Sequence, residues 1–445
     1  MTYREAVARL LGLRGGEMAG MRPGLERIET LLAAVGNPER SFEIVQVAGT
    51  NGKGSVSAML ASIFHAAGRR VGLFTSPHLV DLSERIRVNG RVIPESDLVD
   101  GVEALGTLIA RLDVPMFEAV TAIALDHFAA ERVDLAVLEV GMGGRLDSTT
   151  VGTPAAEVVT RIDLDHQRYL GATLAAIAAE KAAIIRSGVA FSARQEREAQ
   201  EVIDRRAREV GIPLLTEGRE LEASPRGFDL DGQRLDLSGP GWQLRDVQCR
   251  LLGIHQPGNA LLAAAAARHV GAGEAAIRRG LETVEWPGRF QIVARDPLVI
   301  LDGAHNPGGA VALGRSLAAY FPGIPITLVI GISADKDQHG ILQALVPLAS
   351  RVILTSYASP RAASPEALRI ALPAGERRVD VAPSVREALS MALSRPSTPI
   401  ICIAGSLYLI GEVLAQAREK QDFFAAFEVA DSMNPHARAG ERLRP

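Results

Sequence analysis

The chain has 445 residues, of which 47% are hydrophobic and 22% are charged, and its formal net charge is −4 at pH 7. This composition is typical of a globular protein of two or three domains, and it lacks the basic excess of proteins that bind nucleic acid or anionic membranes. The two cysteines, Cys249 and Cys402, form no metal-binding pattern and imply no disulfide framework, which suits a reducing cytoplasm.

The N-terminal segment MTYREAVARLLGLRGG is charged throughout and lacks the apolar core of a signal peptide. No apolar run along the chain approaches the ~18 residues that are needed to span a bilayer. We therefore expect a cytoplasmic protein that binds neither nucleic acid nor a membrane, and a monomer is the simplest expectation for its oligomeric state.

The first half of the chain alternates apolar, β-rich runs with amphipathic helical patterns. The runs EIVQVAG, RVGLFTS, LAVLEVG and AEVVTRI predict strands of a parallel sheet covered by helices. Residues 216–251 differ, because short alternating pieces rich in Gly, Pro and Asp predict a small antiparallel β-insert. An alanine-rich helix is expected to follow, from Asn259 to about Val270. The sequence thus predicts an α/β fold whose first domain, residues 1–287, carries the insert.

The motif VEWPGRF interrupts this pattern at Pro287 and Gly288, where we predict a domain boundary. Beyond it, PLVILDG, PITLVIG, RVILTSY, RRVDVA and PIICIAG predict the strands of a smaller, Rossmann-like α/β domain, residues 288–430. Its helices are expected near residues 309–320, 340–348, 365–371, 385–393 and 407–417. Residues 431–445 have little to bury and are predicted to form a flexible tail.

A glycine-rich turn follows the first predicted strand, in EIVQVAGTNGKGSVSAMLASIFHAAG. A strand, a glycine-rich loop and a helix together aim backbone N–H groups at phosphate, as in a P-loop ATPase domain. Lys53 would then reach the β- and γ-phosphates, and Ser55 would offer its hydroxyl to Mg²⁺. The spacing departs from G-x-x-x-x-G-K-[ST], because Val47 replaces the first glycine and Gly54 separates Lys53 from Ser55. The alternative is a tight turn that binds nothing.

Two other predicted strands end in polar side chains. Glu139 ends the strand in DLAVLEVGMGGRLDSTT, where P-loop enzymes place a carboxylate that supports Mg²⁺. Asp163, Asp165 and His166 follow the strand in VVTRIDLDHQRYLG, at the edge where ligands gather in open α/β sheets. The alternatives are a solvated acid at a strand end and an ordinary polar histidine in a loop.

Residues 173–188, TLAAIAAEKAAIIRSG, predict a helix with Thr173 as its N-cap and Gly188 near its end. Lys181 falls on the apolar face of this helix, together with Leu174, Ile177, Ile184 and Ile185. A lysine on a buried face is costly unless something pairs with it. Lys181 therefore either has a special role or extends to solvent or a nearby acid.

The motifs GTNGKGS, TSPHL, ERIRVNG, EVGMGGRLDST and AAEKAAI occur in this order, followed by GIHQPGNALLA, WPGRF and LDGAHNP. Together they resemble the folylpolyglutamate synthase / dihydrofolate synthase family of the Mur ligase superfamily, from about residue 24 to residue 410. The resemblance implies an ATP-dependent amide ligase that joins L-glutamate to a pteroate or folate carboxylate through an acyl phosphate.

The resemblance also implies roles for individual residues. The triphosphate would be held by Gly49, Thr50, Asn51, Gly52, Lys53, Gly54 and Ser55. Mg²⁺ would be bound by Ser55, Ser76, Glu139, His166 and Lys181. ATP or the reacting groups would be contacted by Asn259, Arg289, Asp302 and His305. The acyl substrate would lie near Arg85, Phe117 and Glu118, with its pterin side against Leu146, Asp147 and Ser148.

Lys181 matches the lysine that carries a carbamate in this family. A neutral lysine amine can add CO₂ and become a carboxylate, and such a ligand would serve two Mg²⁺ ions. The sequence departs from the family pattern at Ala183, where a glycine is common, and at Pro115, where a threonine is common. Proline removes a hydroxyl and an N–H near the expected pterin pocket.

Three other classes of protein are alternatives to a folate-type ligase. A peptidoglycan Mur ligase carries a nucleotide-sugar domain before the phosphate loop, whereas only 48 residues precede Gly49 here. A nucleotide switch is faintly suggested by SADKD, but Asp335 replaces the asparagine of the guanine-reading motif. A purely structural α/β protein would leave the glycine loop and Lys181 unexplained. Dihydrofolate synthase, folylpolyglutamate synthase and the bifunctional enzyme are not separated by the sequence.

Overall fold

The computed structural model describes residues 1–15, 24–375, 378–393 and 398–418. Their strands form an eight-stranded sheet, a three-stranded sheet and a six-stranded sheet. The first two belong to the predicted ATP-binding domain, and the third belongs to the predicted C-terminal domain. Among these residues no helix combines the length and the apolar character that crossing a membrane would require.

The first sheet is parallel at its centre and antiparallel at one edge. Its strands are β1 (Glu43–Ala48), β2 (Val71–Phe74), β3 (Ile86–Val88), β4 (Arg91–Val92), β5 (Leu135–Glu139), β6 (Ala156–Val159), β7 (Val189–Ser192) and β8 (Leu214–Thr216). Their order is β4-β3-β2-β5-β1-β6-β7-β8, with antiparallel pairing only in β2–β3 and β3–β4. The central strands read as continuous apolar runs because helices cover both faces.

Ten helices accompany this sheet in the described ranges. They are α1 (Tyr3–Leu11), α2 (Glu26–Ala34), α3 (Lys53–Ala66), α4 (Glu95–Leu112), α5 (Met116–Ala130), α6 (Gln167–Leu170), α7 (Leu174–Ala182), α8 (Arg197–Val210), α9 (Gln256–His269) and α10 (Glu274–Thr283). Helices α3, α9 and α10 share one core with the sheet, and α1, α2, α4 and α5 form a second core on its other face.

The predicted insert is present as an antiparallel meander. It consists of β9 (Glu222–Phe228), β10 (Gln233–Gly239) and β11 (Trp242–Cys249), with β10 in the middle. Alternate side chains, such as Leu235 and Leu237, point inward and join the core that contains α9. The insert therefore covers α9 and brings that helix beside the phosphate loop.

The second large sheet is parallel except at one edge. Its strands are β12 (Gln291–Arg295), β13 (Leu298–Asp302), β14 (Ile326–Ile330), β15 (Ala349–Thr355), β16 (Arg378–Ala382) and β17 (Ile400–Ala404), in the order β12-β13-β17-β14-β15-β16. Its helices are α11 (Pro307–Tyr320), α12 (Gln338–Leu345), α13 (Pro365–Ile370), α14 (Val385–Leu393) and α15 (Leu407–Arg418). Among the strands of this second sheet, only β12 was absent from the sequence prediction. It pairs antiparallel with β13.

The boundaries predicted from the sequence remain predictions. Helix α10 ends at Thr283 and β12 begins at Gln291, so the proposed boundary at 287/288 lies in the connecting segment. The end of the second domain at residue 430 and the tail at 431–445 lie outside the described residues.

Helix α7 corrects one prediction, because it ends at Ala182 rather than near Gly188. Thr173 is its N-cap, as predicted, and accepts a hydrogen bond from the N–H of Ala176. The helix must end before Gly188, because this residue adopts φ +69°, which is not a helical conformation. Gly188 packs against the backbone of Ala155 directly before β7 begins. Ile184 and Ile185 are therefore buried in the turn that follows the helix.

Candidate active site

A cleft of about 1280 Å³ lies between the two large sheets, at the carboxyl ends of their parallel strands. The first domain contributes the loops after β1, β5 and β6 to its wall. The second domain contributes the loops after β13, β14 and β17. All the predicted site residues except Arg85 and Gly49 line this cleft.

The phosphate loop connects β1 to α3 and packs tightly against α9. Gly52 adopts φ +95°, and a Cβ there would lie 2.6 Å from the Oδ1 atom of Asn259. Glycine is therefore required by conformation and by space. The backbone N–H groups of Thr50 and Asn51 donate to the carbonyl of Arg161, at 2.9 and 3.1 Å. The loop thus rests on the segment that follows β6.

Lys53 begins helix α3 and folds back over the loop, where its Nζ donates to the carbonyl oxygen of Thr50 at 3.2 Å. Burial lowers the pKa of Lys53, while the charges of Glu139 and Asp165 raise it in part. Ser55 is buried in the same first turn of α3, and the amide of Gln256 donates to its Oγ at 3.3 Å. Both side chains sit where the N-terminus of α3 favours anions.

Glu139 ends β5 at the floor of the cleft and is almost fully buried. Its Oε2 accepts the N–H of Ser76 at 3.3 Å. Burial raises the pKa of Glu139, although the nearby charge of Lys53 opposes this shift. Burial therefore disfavours the charged form of Glu139, and a bound metal ion would offset that penalty.

Lys181 lies in the last turn of α7 and is only 4% exposed. Its Nζ donates to the carbonyl of Gly49 in the phosphate loop, at 2.7 Å. Burial, together with the charge of Lys53, lowers the pKa of Lys181 to about 7. Near neutral pH a large share of Lys181 is therefore a neutral amine, the form that can react with CO₂.

Asp165 lies where the first domain contacts the second. Its carboxylate pairs with Lys336, accepts a hydrogen bond from the amide of Asn306 at 3.2 Å and lies 3.7 Å from the Nε2 of His305. Burial opposes ionisation of Asp165, but His166, Lys336 and His305 together hold its pKa well below the usual range. His166 follows at once, and burial lowers its pKa to about 3.

The second domain contributes buried polar side chains to the part of the cleft around Asp165. Asp302 ends β13 and accepts the N–H groups of Phe290 and Ala304, each at 2.8 Å. Burial raises the pKa of Asp302, and the charge of Arg289 opposes the shift. His305 places its Nδ1 2.8 Å from the carbonyl of Gly303, and burial lowers its pKa to about 4.

The opposite end of the cleft is lined by α5 and by the glycine-rich loop after β5. Phe117 fills the space beneath Gly141, and Glu118 is held by a two-pronged ion pair with Arg27, at 3.0 and 2.7 Å. The exposed Leu146 contributes to the rim. This wall combines an aromatic ring with apolar and amide surface, which suits a flat heterocycle.

Asp147 and Ser148 line this end of the cleft but mainly stabilise the loop itself. The carboxylate of Asp147 accepts the N–H of Met142 at 2.9 Å and the N–H and hydroxyl of Thr149 at 3.0 and 2.6 Å. The hydroxyl of Ser148 lies 2.9 Å from that of Thr121. Arg85, in contrast, lies off the cleft wall, fully buried, with its Nε donating to His78 at 2.9 Å.

Asp165, Asn306 and Lys336 form a polar cluster for which the sequence predicted no role. Asn306 is fully buried, and its amide exchanges hydrogen bonds with that of Asn51 at 3.1 and 3.0 Å. Their signals were present in DLDH, LDGAHNP and SADKD. The SADKD segment was interpreted only as a possible guanine-binding motif. No local pattern indicated that its Lys336 forms an ion pair with Asp165.

Within the described ranges no group of three or more His, Cys, Asp or Glu side chains could hold a metal ion by itself. Mg²⁺ usually keeps several waters and takes one or two carboxylates together with substrate phosphates. Ser55, Ser76, Glu139 and His166 line one cleft with Lys181, so the donor set suits a Mg²⁺ ion that arrives with nucleotide. An unmodified Lys181 offers no metal ligand.

Two family models match the chain, one on each side of the predicted boundary. The Mur ligase middle domain matches residues 96–267, and the Mur ligase, glutamate ligase domain matches residues 288–407. A dihydrofolate synthase/folylpolyglutamate synthase from Mycobacterium tuberculosis is 38% identical over 403 residues, which are 84% of this chain and 82% of that relative. The chain belongs to the folylpolyglutamate synthase/dihydrofolate synthase family.

Other proteins of the folylpolyglutamate synthase family extend this likeness. A probable bifunctional folylpolyglutamate synthase/dihydropteroate synthase from Halobacterium salinarum is 37% identical over 423 residues, and the chain, 93% of which is aligned, spans about half (51%) of its length. The solved structure of E. coli FolC in complex with DHPP and ADP has a TM-score of 0.86 at 32% identity, covering 94% of this chain and 99% of that one. The predicted α/β fold class and the assignment to the ATP-dependent ligases are confirmed.

Proposed function

We propose that the protein adds L-glutamate to the carboxylate of a pteroate or folate, with ATP as the phosphoryl donor. The observation that carries this proposal is that one cleft joins a phosphate loop, an aromatic acceptor wall and the buried polar groups of a second domain. The related E. coli protein was solved with DHPP and ADP, which supports a pterin-bearing acceptor beside the nucleotide.

The nucleotide is held by the N-terminus of α3. The N-terminus of α3 is directed at the triphosphate, the loop residues 49–52 surround it, and Lys53 exchanges the carbonyl of Thr50 for phosphate oxygens. Because Lys53 is desolvated, a negatively charged γ-phosphate near it is strongly favoured. Asn259, Arg289 and Asp302 line the nucleotide side of the cleft and complete the binding of ATP.

Ser55, Ser76, Glu139 and His166 would hold Mg²⁺, with Lys181 joining them as a carbamate, and two ions would fit the elongated cleft. Bound Mg²⁺ supplies charge neutralisation for the transferring phosphoryl group and for the acyl phosphate. Lys181 has the neutral amine that carbamate formation requires, and Gly49 holds its Nζ at the loop. A carboxylate on its long side chain replaces a buried cation by a metal ligand.

The acceptor lies against Phe117 and the loop 141–148, which directs its carboxylate toward the γ-phosphate. Attack of that carboxylate gives ADP and an acyl phosphate, and glutamate then displaces phosphate. His305 is neutral at pH 7, because burial lowers its pKa to about 4. With Nδ1–H donating to Gly303, the Nε2 atom of His305 is left to accept a proton from the amine.

One assay tests this proposal directly. ADP release is measured with dihydropteroate, dihydrofolate or tetrahydrofolate as acceptor, each with and without L-glutamate. We expect turnover only when acceptor and glutamate are both present, and the acceptor preference separates dihydrofolate synthase from folylpolyglutamate synthase activity. The dihydropteroate synthase portion named for the Halobacterium relative favours the dihydropteroate arm. Turnover that needs neither substrate contradicts the proposal.

A monomeric state and a cytoplasmic location are further parts of this proposal. Small-molecule substrates suffice for the reaction, and both walls of the cleft come from one chain. Light scattering during turnover tests the oligomeric state.

A further inference from the structure

The acceptor wall of the cleft is attached to the helix that carries Lys181. The glycine-rich loop after β5 runs along the last turn of α7, and the N–H of Arg145 donates to the carbonyl of Glu180 at 3.0 Å. A Cβ at Gly144 would lie 2.7 Å from that same carbonyl and 3.0 Å from the carbonyl of Lys181. The absence of a side chain at Gly144 therefore permits direct backbone contact between loop and helix.

The side chains of the same two residues close the contact. The guanidinium of Arg145 donates from Nε and Nη2 to Oε1 of Glu180, at 3.1 and 2.9 Å, and from Nε to Oε2 at 3.3 Å. Both side chains line the cleft, with 59% of Arg145 and 28% of Glu180 exposed. A forked arginine–carboxylate pair fixes orientation as well as distance, which a lysine would not do.

The loop is cross-linked internally by the carboxylate of Asp147. Asp147 ties Met142 to Thr149, and the hydroxyl of Thr150 donates to the carbonyl of Gly144 at 2.7 Å. Its far side is fastened to β1, where the amide of Gln46 donates to Thr150 at 2.8 Å. The side of the loop that faces α7, at Gly144 and Arg145, is held by its contact with Glu180.

We propose that Arg145 and Glu180 form a clamp that sets the distance between the acceptor wall and the Lys181 site, and that both act as positioning residues. This inference rests on the proposed function, since it assigns the acceptor to the loop 141–148. Glu180 directly precedes Lys181, so the clamp transmits the position of α7 to the loop without touching the phosphate loop. It gives the acceptor carboxylate a fixed approach to the γ-phosphate.

The clamp is too exposed to matter much for global stability, because solvent screens the charges of an exposed ion pair. Its effect should instead appear in acceptor binding. Releasing the loop adds freedom that acceptor binding must remove, which raises the acceptor KM while the KM for ATP is unaffected.

The test compares Arg145→Ala, Glu180→Ala, the double variant and the charge swap Arg145→Glu with Glu180→Arg. Arg219→Ala is a matched control, because the Nη1 of Arg219 donates to both carboxylate oxygens of Asp204, at 3.1 and 3.0 Å, with exposures of 50% and 26%, and neither residue lines the cleft. We expect each single variant to raise the acceptor KM by about threefold to tenfold, with the double variant no worse than either single one. The charge swap should recover part of the loss.

Hydrogen–deuterium exchange without substrates supplies a second measurement. Peptides that cover residues 141–150 should exchange faster in Arg145→Ala and Glu180→Ala than in the parent or in Arg219→Ala. Unchanged exchange and unchanged acceptor KM in an active enzyme overturn the clamp. A parent enzyme that ligates no pteroate or folate overturns the proposed function instead, and in that case faster exchange in the two variants still supports the mechanical link.

Discussion

The two glycine-rich loops of the cleft differ in where their polar groups find partners. The phosphate loop, residues 49–52, depends on other segments: Asn51 pairs with Asn306 of the second domain, and Gly49 receives the Nζ of Lys181. The acceptor loop, residues 141–150, satisfies the N–H groups of Met142 and Thr149 internally, through Asp147. The first loop is therefore sensitive to domain arrangement and ligands, whereas the second is a preformed wall.

Their electrostatic surroundings differ in the same way. Lys53 and Lys181 are desolvated cations beside the phosphate loop, and both have lowered pKa values because of burial. The acceptor loop contains instead a buried acid, Asp147, whose pKa burial raises in spite of its hydrogen bonds. Anions are thus favoured at the first loop, and a neutral, aromatic group suits the second. The four predictions below test this division of roles.

The largest effect should come from Lys53→Ala. The variant removes the cation that we propose faces the γ-phosphate, so ligation should fall by about 10³-fold or more. The fold should survive, because within the described part of the chain the variant loses a single hydrogen bond, from the Nζ of Lys53 to the carbonyl of Thr50. Steady-state ADP release and a urea unfolding curve measure the two outcomes. Near-normal ligation by the folded variant contradicts the phosphate-loop assignment.

Lys181→Ala should lower turnover by about 10²-fold or more, since it removes the residue that we propose binds Mg²⁺ as a carbamate. Acetate or formate entering the vacated space should restore part of the activity. Lys181→Arg should not be rescued, because its guanidinium fills the space and repels Mg²⁺. An unmodified Lys181 in a turnover-competent, Mg²⁺-loaded enzyme, seen by crystallography, would contradict carbamoylation.

The two loops should also differ in what they contribute to stability. Asp147→Ala leaves the N–H groups of Met142 and Thr149 without their acceptor, so the free energy of unfolding should fall by about 2–4 kcal/mol. Asn51→Ala should cost less, about 1 kcal/mol, because its partner Asp163 lies on the cleft wall, where water can replace Asn51, and its buried partner Asn306 keeps its hydrogen bonds to Asp165 and Gly309. Urea unfolding measures both, with Asp147→Asn as the conservative control. Equal losses would remove the distinction between the loops.

The sequence was most informative where the chemistry is local. Apolar runs identified all but one strand of the second domain, and GTNGKGS placed Lys53 and Ser55 at a helix start. Strand β12 was missed because it is a half-buried edge strand, whose apolar run is short. The meeting of Asp165 with Lys336 and Asn306 was also missed. Such contacts arise from packing two domains, and no spacing along the chain encodes them.

The smallest predicted effect concerns the polar network beneath the acceptor loop. Glu157 is fully buried in β6, and its Oε1 accepts the N–H groups of Ser187 and Arg186 at 2.8 and 3.2 Å. The guanidinium of Arg186 donates a hydrogen bond to the side-chain oxygen of Gln46. The side-chain nitrogen of Gln46 in turn donates to the hydroxyl of Thr150 in the acceptor loop. Among the described residues no hydrogen-bond partner of the Glu157 Oε2 atom is found. An ionised Glu157 is therefore poorly compensated.

Burial raises the pKa of Glu157 from 4.5 to about 7 in the folded protein. Between those values the folded state holds more protons than the unfolded state, so stability should fall as pH rises from about 5 to 7 and level off near 8. Glu157→Gln keeps an acceptor at Oε1 and removes the charge. It should match the parent near pH 5 and exceed it at pH 8 by about 1–3 kcal/mol. Urea unfolding at pH 5, 6, 7 and 8 measures this difference, and parallel pH profiles for parent and variant would show that Glu157 is accommodated as a charged group.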